Sequence, residues 1–331
     1  MNQKQLTKHL NSGMFFEDRF LAENISGITI SGLNIPDCTF AAHFNLDDVV
    51  LEGLDLSGCQ FGQNEWTNVK AQNCQFVNCA FKSSEWKNIE FKSCQFYDCD
   101  FENAQLENLS FTECFVNGMH FIGPCELSGK LDYTKWFDVT WPETKLNWAV
   151  VSDCHFYQVD MSGKPFPWQN VGPKALLDKC KMGEFSFKDL KVANVTLSRC
   201  EFDLLDLTNA TLTNVNFGES IIKKVQAEGF AGEDLQMSKT SIDSGNFKNI
   251  RISVSSIFWE ADLKDCDFSN AKMGVAVFEK AKLEAVNFAN AEFMGCNLSD
   301  AHLNQVSFKD ANLNNLNLSD TVMDQVEGLK D

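Results

Sequence analysis

The sequence is short of positive charge, tyrosine and proline, and no long apolar run occurs in it. Against 46 acidic residues stand only 28 Lys and Arg, giving a formal net charge of -18. That deficit excludes a generic nucleic-acid binder, which needs a basic stripe, and disfavours adhesion to an anionic membrane surface. No stretch approaches the roughly 18 apolar residues of a membrane-spanning helix. The opening residues, MNQKQLTKHLNSGMFF, lack the apolar centre of a signal peptide. The expected compartment is the cytoplasm, with leaderless export as the other route. GxGxxG, P-loop, HExxH and nucleophile-elbow motifs are also missing, and the five histidines (His9, His43, His120, His155, His302) are scattered. No catalytic residue, metal ligand or cofactor is therefore expected.

What the chain has in plenty is phenylalanine and repetition. With 29 Phe and 44% hydrophobic residues there is ample core material for a globular protein. The segments FGQNEWTNVKAQNCQFVNCA and FKSSEWKNIEFKSCQFYDCD, residues 61 to 100, match at eight of twenty positions. Inside each twenty runs a period of five, and a fixed period must be settled before any helix or strand is assigned. Let i be the large apolar residue of each five. It falls at Phe61, Trp66, Phe76, Phe81, Trp86, Phe91, Phe96 and Phe101, with Ala71 the small exception, while i-2 is a smaller residue such as Cys74, Cys79, Cys94 or Cys99.

The frame extends in both directions. It begins with Ile25, Ile30, Ile35 and Phe40, slips by one residue, and runs from Leu46 to Phe121. Past Glu126 it weakens but keeps count through Leu131, Trp136, Trp141, Leu146, Val151, Phe156 and Met161. Residues 162 to 184 break it with Pro165, Pro167 and Pro173 and three glycines, which predicts an ejected loop, with a short helical turn at Lys174 to Lys181. A second array opens at Phe185 and Phe187 and reaches Ile257, after which a second one-residue slip is expected. The last block is the cleanest, with ADLKD, CDFSN, CNLSD and ANLNN among its fives.

A period of five fits neither a helix nor simple strand alternation. Two inward residues two apart are strand geometry, so a turn after every five lets the pattern recur. Four such sides close a loop of twenty, and stacked loops would pair as parallel strands about 4.8 Å apart. Stepping by twenty then puts like on like, as in Phe61, Phe81, Phe101 and Phe121. Over roughly 25 to 161 and 185 to 326 the pattern resembles the pentapeptide repeat family. The resemblance implies an all-β fold, a right-handed quadrilateral parallel β-helix of about 14 coils at that strand spacing, interrupted by a loop insertion. The expected organisation is an N-terminal cap over 1–22, a first array over 23–161, the loop over 162–184, a second array over 185–326 and a tail over 327–331.

Thirteen cysteines invite a metal or redox reading, but eleven of them occupy i-2, which wants a small apolar side chain. Only Cys125 and Cys180 fall off the core positions, which makes them the candidates for reactive thiols. Charge sorts the chain differently. It sums to -10 over residues 1 to 126 (7 basic, 17 acidic), 0 over 127 to 184 (7 and 7) and -8 over 185 to 331 (14 and 22). In the neutral middle, Trp148 and Trp168 lie off the i positions and, with Pro165 and Phe166 of the ejected loop, are the expected partner-binding residues. The resemblance implies a non-catalytic bacterial scaffold or adaptor for protein-protein interaction, with secretion- or effector-associated relatives. The other reading is an acidic DNA mimic that binds DNA gyrase or topoisomerase IV and protects against quinolones or a toxin. Duplex DNA carries one charge per about 1.7 Å, far denser than a net of -18 spread over some 14 coils.

Overall fold

In the computed structural model the described residues are 25–329, except 33, 38, 41–44, 142–143 and 163–173. The expected N-terminal cap, and Pro165, Phe166 and Trp168, lie outside them. The described residues make about 14 turns of parallel β-solenoid and divide into two compact units, one ending at Asp160 and the other beginning at Met161.

In the first unit each coil takes about twenty residues. Phe61 pairs with Phe81, Phe81 with Phe101 and Phe101 with Phe121, all in parallel register. The short strands Gln60–Gly62, Glu65–Thr67, Lys70–Gln72 and Gln75–Val77 are four consecutive sides. Each side ends at a left-handed residue two past i, such as Gln63, Asn68, Asn73 and Asn78. Asn, Asp and Gly tolerate that region best, which is why the polar residue after each i is so often one of them. The corner carboxamides also stack: Asn88 Nδ2 donates to Asn68 Oδ1 at 3.1 Å, and Asn108 Nδ2 to Asn88 Oδ1 at 2.8 Å. Backbone amides at the corners donate to the next coil, as Asn68 N does to Lys87 O at 2.9 Å.

Inside, like stacks on like. Phe61 and Phe81 centroids lie 4.9 Å apart, Trp66 and Trp86 4.7 Å, and Phe76 and Phe96 4.8 Å, each pair near parallel. Neighbouring columns meet edge to face, as Phe81 does with Trp86 at 77°. The strand spacing dictates the parallel stacks, and the edge contacts restore the geometry that ring quadrupoles favour. The buried Asn64, in an i-2 slot, accepts from Trp86 Nε1 at 2.8 Å.

The first slip lies where expected. Ile25 pairs with Leu46 and Phe40 with Phe61, both 21 apart, whereas Leu46 pairs with Trp66, 20 apart. A further slip was not expected. Leu106 pairs with Leu127 rather than with Glu126, and Leu109 returns to register opposite Gly129. Cys125 and Leu127 therefore point inward. Gly129 absorbs the compensating deletion at a φ of 143°, where a Cβ would stand 1.8 Å from Leu109 O.

The second unit repeats the plan. Phe268 stacks on Phe247 at 4.4 Å and on Phe288 at 5.1 Å, and Phe258 on Phe278 at 4.9 Å. Two expectations are corrected here. Leu176–Asp178 and Lys181–Ser186 are strands, so the coil resumes inside the range assigned to the ejected loop, and no helical turn forms at Lys174 to Lys181. Ala175, Leu177, Cys180 and Met182 supply the inward residues that hold it. The extra residue expected after Ile257 sits earlier, between Ile252 and Ser255. Ser256 and Phe258 point inward in the new frame.

Candidate functional site

The interior leaves little room for chemistry. All twelve described cysteines are buried thiols outside any disulfide, including Cys125 and Cys180, so neither is an exposed reactive thiol. Cys125 is inward because of the slip before Gly129, and Cys180 because the coil has resumed. Most of the thiols donate to coil carbonyls, as Cys94 Sγ does to Ala71 O at 3.3 Å and Cys79 Sγ to Leu56 O at 3.3 Å. Burial pushes the thiols of Cys154, Cys266 and Cys296 up to about 12, which keeps them protonated and poorly nucleophilic. Among the described residues no three His, Cys, Asp or Glu side chains converge to hold a metal ion. Buried Asp178 is held by Arg199, whose Nε donates to Oδ1 at 2.7 Å and whose Nη2 contacts Oδ2. Ser198 Oγ donates to it as well. In the second unit a shallow depression of about 450 Å³ is lined by Arg251, Lys272, Glu292 and Met294 among others, and Lys272 closes on Glu292 at 2.9 Å.

Most of the described outer faces are polar lattices. Lysines pair with carboxylates one coil away: Lys82 with Glu102 at 3.1 Å, Lys87 with Glu107 at 3.3 Å, Lys223 with Asp203 at 2.6 Å and Lys264 with Glu284 at 3.5 Å. Such exposed pairs contribute little to stability, but they cancel charge locally.

One face of the first unit departs from this. It is built by Gln95–Glu102, Phe115–Ile122, Lys135–Phe137 and His155–Tyr157, stacked in parallel. The inward residues are Phe96, Val116, Trp136 and Phe156; the outward positions beside them hold Tyr97, Phe115, Phe137, His155 and Tyr157. Tyr97 and Phe115 rings are 5.6 Å apart, Phe115 and Phe137 5.3 Å, Phe137 and Tyr157 5.8 Å, and Phe137 and His155 5.5 Å. The stripe is thus continuous over four coils and half-buried. Tyr133, 62% exposed, stands at its edge on a left-handed corner. All three tyrosines of the chain lie on this face, as do both of the described phenylalanines that are not buried.

Its edges are acidic. Asp98 and Asp138 follow Tyr97 and Phe137 on one corner; Glu113 and Asp153 precede Phe115 and His155 on the other, with Asp132 next to Tyr133. Ser93 Oγ donates to Glu113 at 2.9 Å and Ser152 Oγ to Asp153 at 3.0 Å. None of the five carboxylates forms an ion pair with a described lysine or arginine, in contrast to the paired faces. Lys92, Lys130 and Lys135 are the cations nearby in the sequence.

Of the residues expected to bind a partner, Trp148 lies in the strand Lys145–Ser152, its backbone opposite Gly129. That strand belongs to a different side of the coil from the aromatic stripe. The other three lie outside the described residues, so the four are not brought together in a described site. The stripe lies outside the i and i-2 columns, which are the ones that burial makes periodic in the sequence. The signal was present in the i+1 column, where Tyr97, Phe137 and Tyr157 recur at multiples of twenty.

The geometry defines a parallel β-solenoid of four five-residue sides per coil. Family models agree with it: "Pentapeptide repeats (8 copies)" matches residues 74–112 and "Pentapeptide repeat region" residues 240–318. The chain thus carries pentapeptide repeats in both of its units. No curated protein matches it. Among solved structures it is similar to HetL, a pentapeptide repeat protein involved in heterocyst differentiation regulation from the cyanobacterium Nostoc sp. strain PCC 7120. The identity is 13%, over 98% of this chain and 96% of that one, with a TM-score of 0.27. It is also similar to QnrB1, a plasmid-mediated fluoroquinolone resistance protein (14%, 90% and 92%, TM-score 0.22). A third is the pentapeptide repeat protein Rfr23 from the cyanobacterium Cyanothece 51142 (14%, 52% and 90%, TM-score 0.16).

Proposed function

We propose that the chain is a non-catalytic binding scaffold that captures another protein on the aromatic face of its first unit. The single observation that carries this is the gathering of all three tyrosines and both non-buried phenylalanines on one side of the coil. Outward aromatic rings cost the chain solubility, and cross-strand pairing returns only about 0.2–1 kcal/mol per pair. Tyrosine and phenylalanine are, in contrast, the residues that anchor protein interfaces. Rings fixed on a packed coil lose little further freedom on binding. The segment that carries Pro165, Phe166 and Trp168 is proposed as a second contact.

The test is a photo-crosslinking amino acid placed at Tyr133, Phe137 or, as a control, Asp262 of the second unit, in the native host. A discrete protein adduct from the first two positions and none from the third is the expected result. Equal labelling everywhere, or none, overturns the scaffold reading. Deleting 163–173 should weaken the adduct without abolishing it. The DNA-mimic reading finds less support, because lysines one coil away break the anionic surface into pairs. It would regain ground if the purified protein altered gyrase supercoiling at micromolar concentration.

A further inference from the structure

We infer that the ligand of the aromatic face is a cationic segment, an extended stretch of a partner protein that presents arginine or lysine side chains. The inference rests on the scaffold reading and specifies its partner. Charge complementarity carries it. Elsewhere on the described surface many carboxylates have a lysine one coil away. Around the stripe Asp98, Glu113, Asp132, Asp138 and Asp153 have none; Lys135, in register between Phe115 and His155, is the cation set among them, so five carboxylates against one lysine leave the face net negative where it exposes aromatic rings.

Rings and carboxylates together suit a guanidinium or an ammonium better than any neutral group. The face of an aromatic ring attracts a cation within about 6 Å of its centroid, and a planar guanidinium can stack on the ring while its N–H fork reaches a carboxylate. The protein already uses this contact in the second unit, where Lys239 Nζ lies 4.9 Å and Lys280 Nζ 6.0 Å from the Trp259 ring centre. On the stripe, the corner residues Asp98 and Asp138 follow Tyr97 and Phe137 directly in the chain. A side chain laid across either ring therefore ends beside a carboxylate.

An acidic protein attracts polycations non-specifically, so the test separates local from global charge. A fluorescein-labelled twelve-residue peptide with four arginines among Gly, Ser and Pro is titrated with the full-length protein by fluorescence anisotropy. Its Arg→Glu and Arg→Gln counterparts serve as comparisons. Saturable binding of the arginine peptide alone is expected. The variant Tyr97→Ser/Phe137→Ser/Tyr157→Ser should weaken it about tenfold while leaving the formal charge unchanged. The variant Asp98→Asn/Asp138→Asn/Asp153→Asn should weaken it more than Asp262→Asn/Glu284→Gln/Glu292→Gln, which removes equal charge from the second unit. Thermal unfolding followed by circular dichroism confirms that each variant is folded. Loss of binding in an unfolded variant is replaced by the milder Phe137→Leu/Tyr157→Leu pair, read against the same peptide. Equal weakening by near and remote neutralisation, undiminished binding by the aromatic variants, or preference for the glutamine peptide or a neutral oligosaccharide overturns the inference. A crosslinked partner whose contacting segment lacks basic residues overturns it too, and leaves the scaffold reading standing.

Discussion

Most sides of the coil end on a residue with positive φ, and the identity of that residue sets a local energy. An L-residue in the left-handed region is strained by about 1–2 kcal/mol unless its side chain bonds locally. The Asn88 and Asn108 carboxamides do so by donating along the stack, to Asn68 and Asn88 respectively. Ala285, at a φ of 53°, has no such group, and its column neighbours are Asp265 and Gln305, also left-handed. Ala285→Asn should extend a ladder of this kind and raise the urea-unfolding free energy by about 1 kcal/mol. Asn88→Ala, which breaks two bonds of the existing ladder, should lower it by a similar amount. An unchanged midpoint for both would mean that the ladders are ornamental.

At the level of the coil, stability depends on register, and register is decided where residues are added or removed. Gly129 is the clearest case, since any Cβ there would overlap the carbonyl of Leu109. Gly129→Ala should cost more than about 3 kcal/mol in urea unfolding, a magnitude reserved for backbone collisions and cavities. Gly62→Ala, which meets nothing within 4 Å and has no positive φ, should stay within about 0.5 kcal/mol. The same coil shows what a sequence reveals and what it hides. The columns Phe61 to Phe121 and Phe268 to Phe308 were legible because the inward slots accept only apolar residues. The slip at Cys125 and Leu127 was not, because Gly129 reverses it and leaves Leu131 in phase for anyone counting by fives. Ile257 misled for a related reason, being five past Ile252 yet outward once the extra residue enters at Ser253 and Val254. The aromatic face stayed hidden because outward residues obey no burial rule that would flag them.

For the whole molecule, the buried thiols set the alkaline limit. Cys154, Cys266 and Cys296 rise from 9.0 to about 12 on burial. The folded state therefore holds protons that the unfolded chain releases above pH 9. The stability they contribute is complete below that pH and is lost progressively up to about pH 12. Urea midpoints measured across this window should fall, and should fall less steeply for Cys154→Ala/Cys266→Ala/Cys296→Ala. An identical slope would remove the thiols as the cause. The aromatic stripe has a metrical consequence as well. Its rungs recur every coil, about 4.8 Å apart, whereas a polyproline-type strand advances about 3.1 Å per residue and presents the same side every third residue. Three residues of the one and two coils of the other come to about 9.3 and 9.6 Å, a vernier that nearly closes. Tyr97 and Phe137, two coils apart in one column, would therefore be met by side chains three positions apart on a bound strand, so the solenoid would measure the spacing of its ligand as well as its charge.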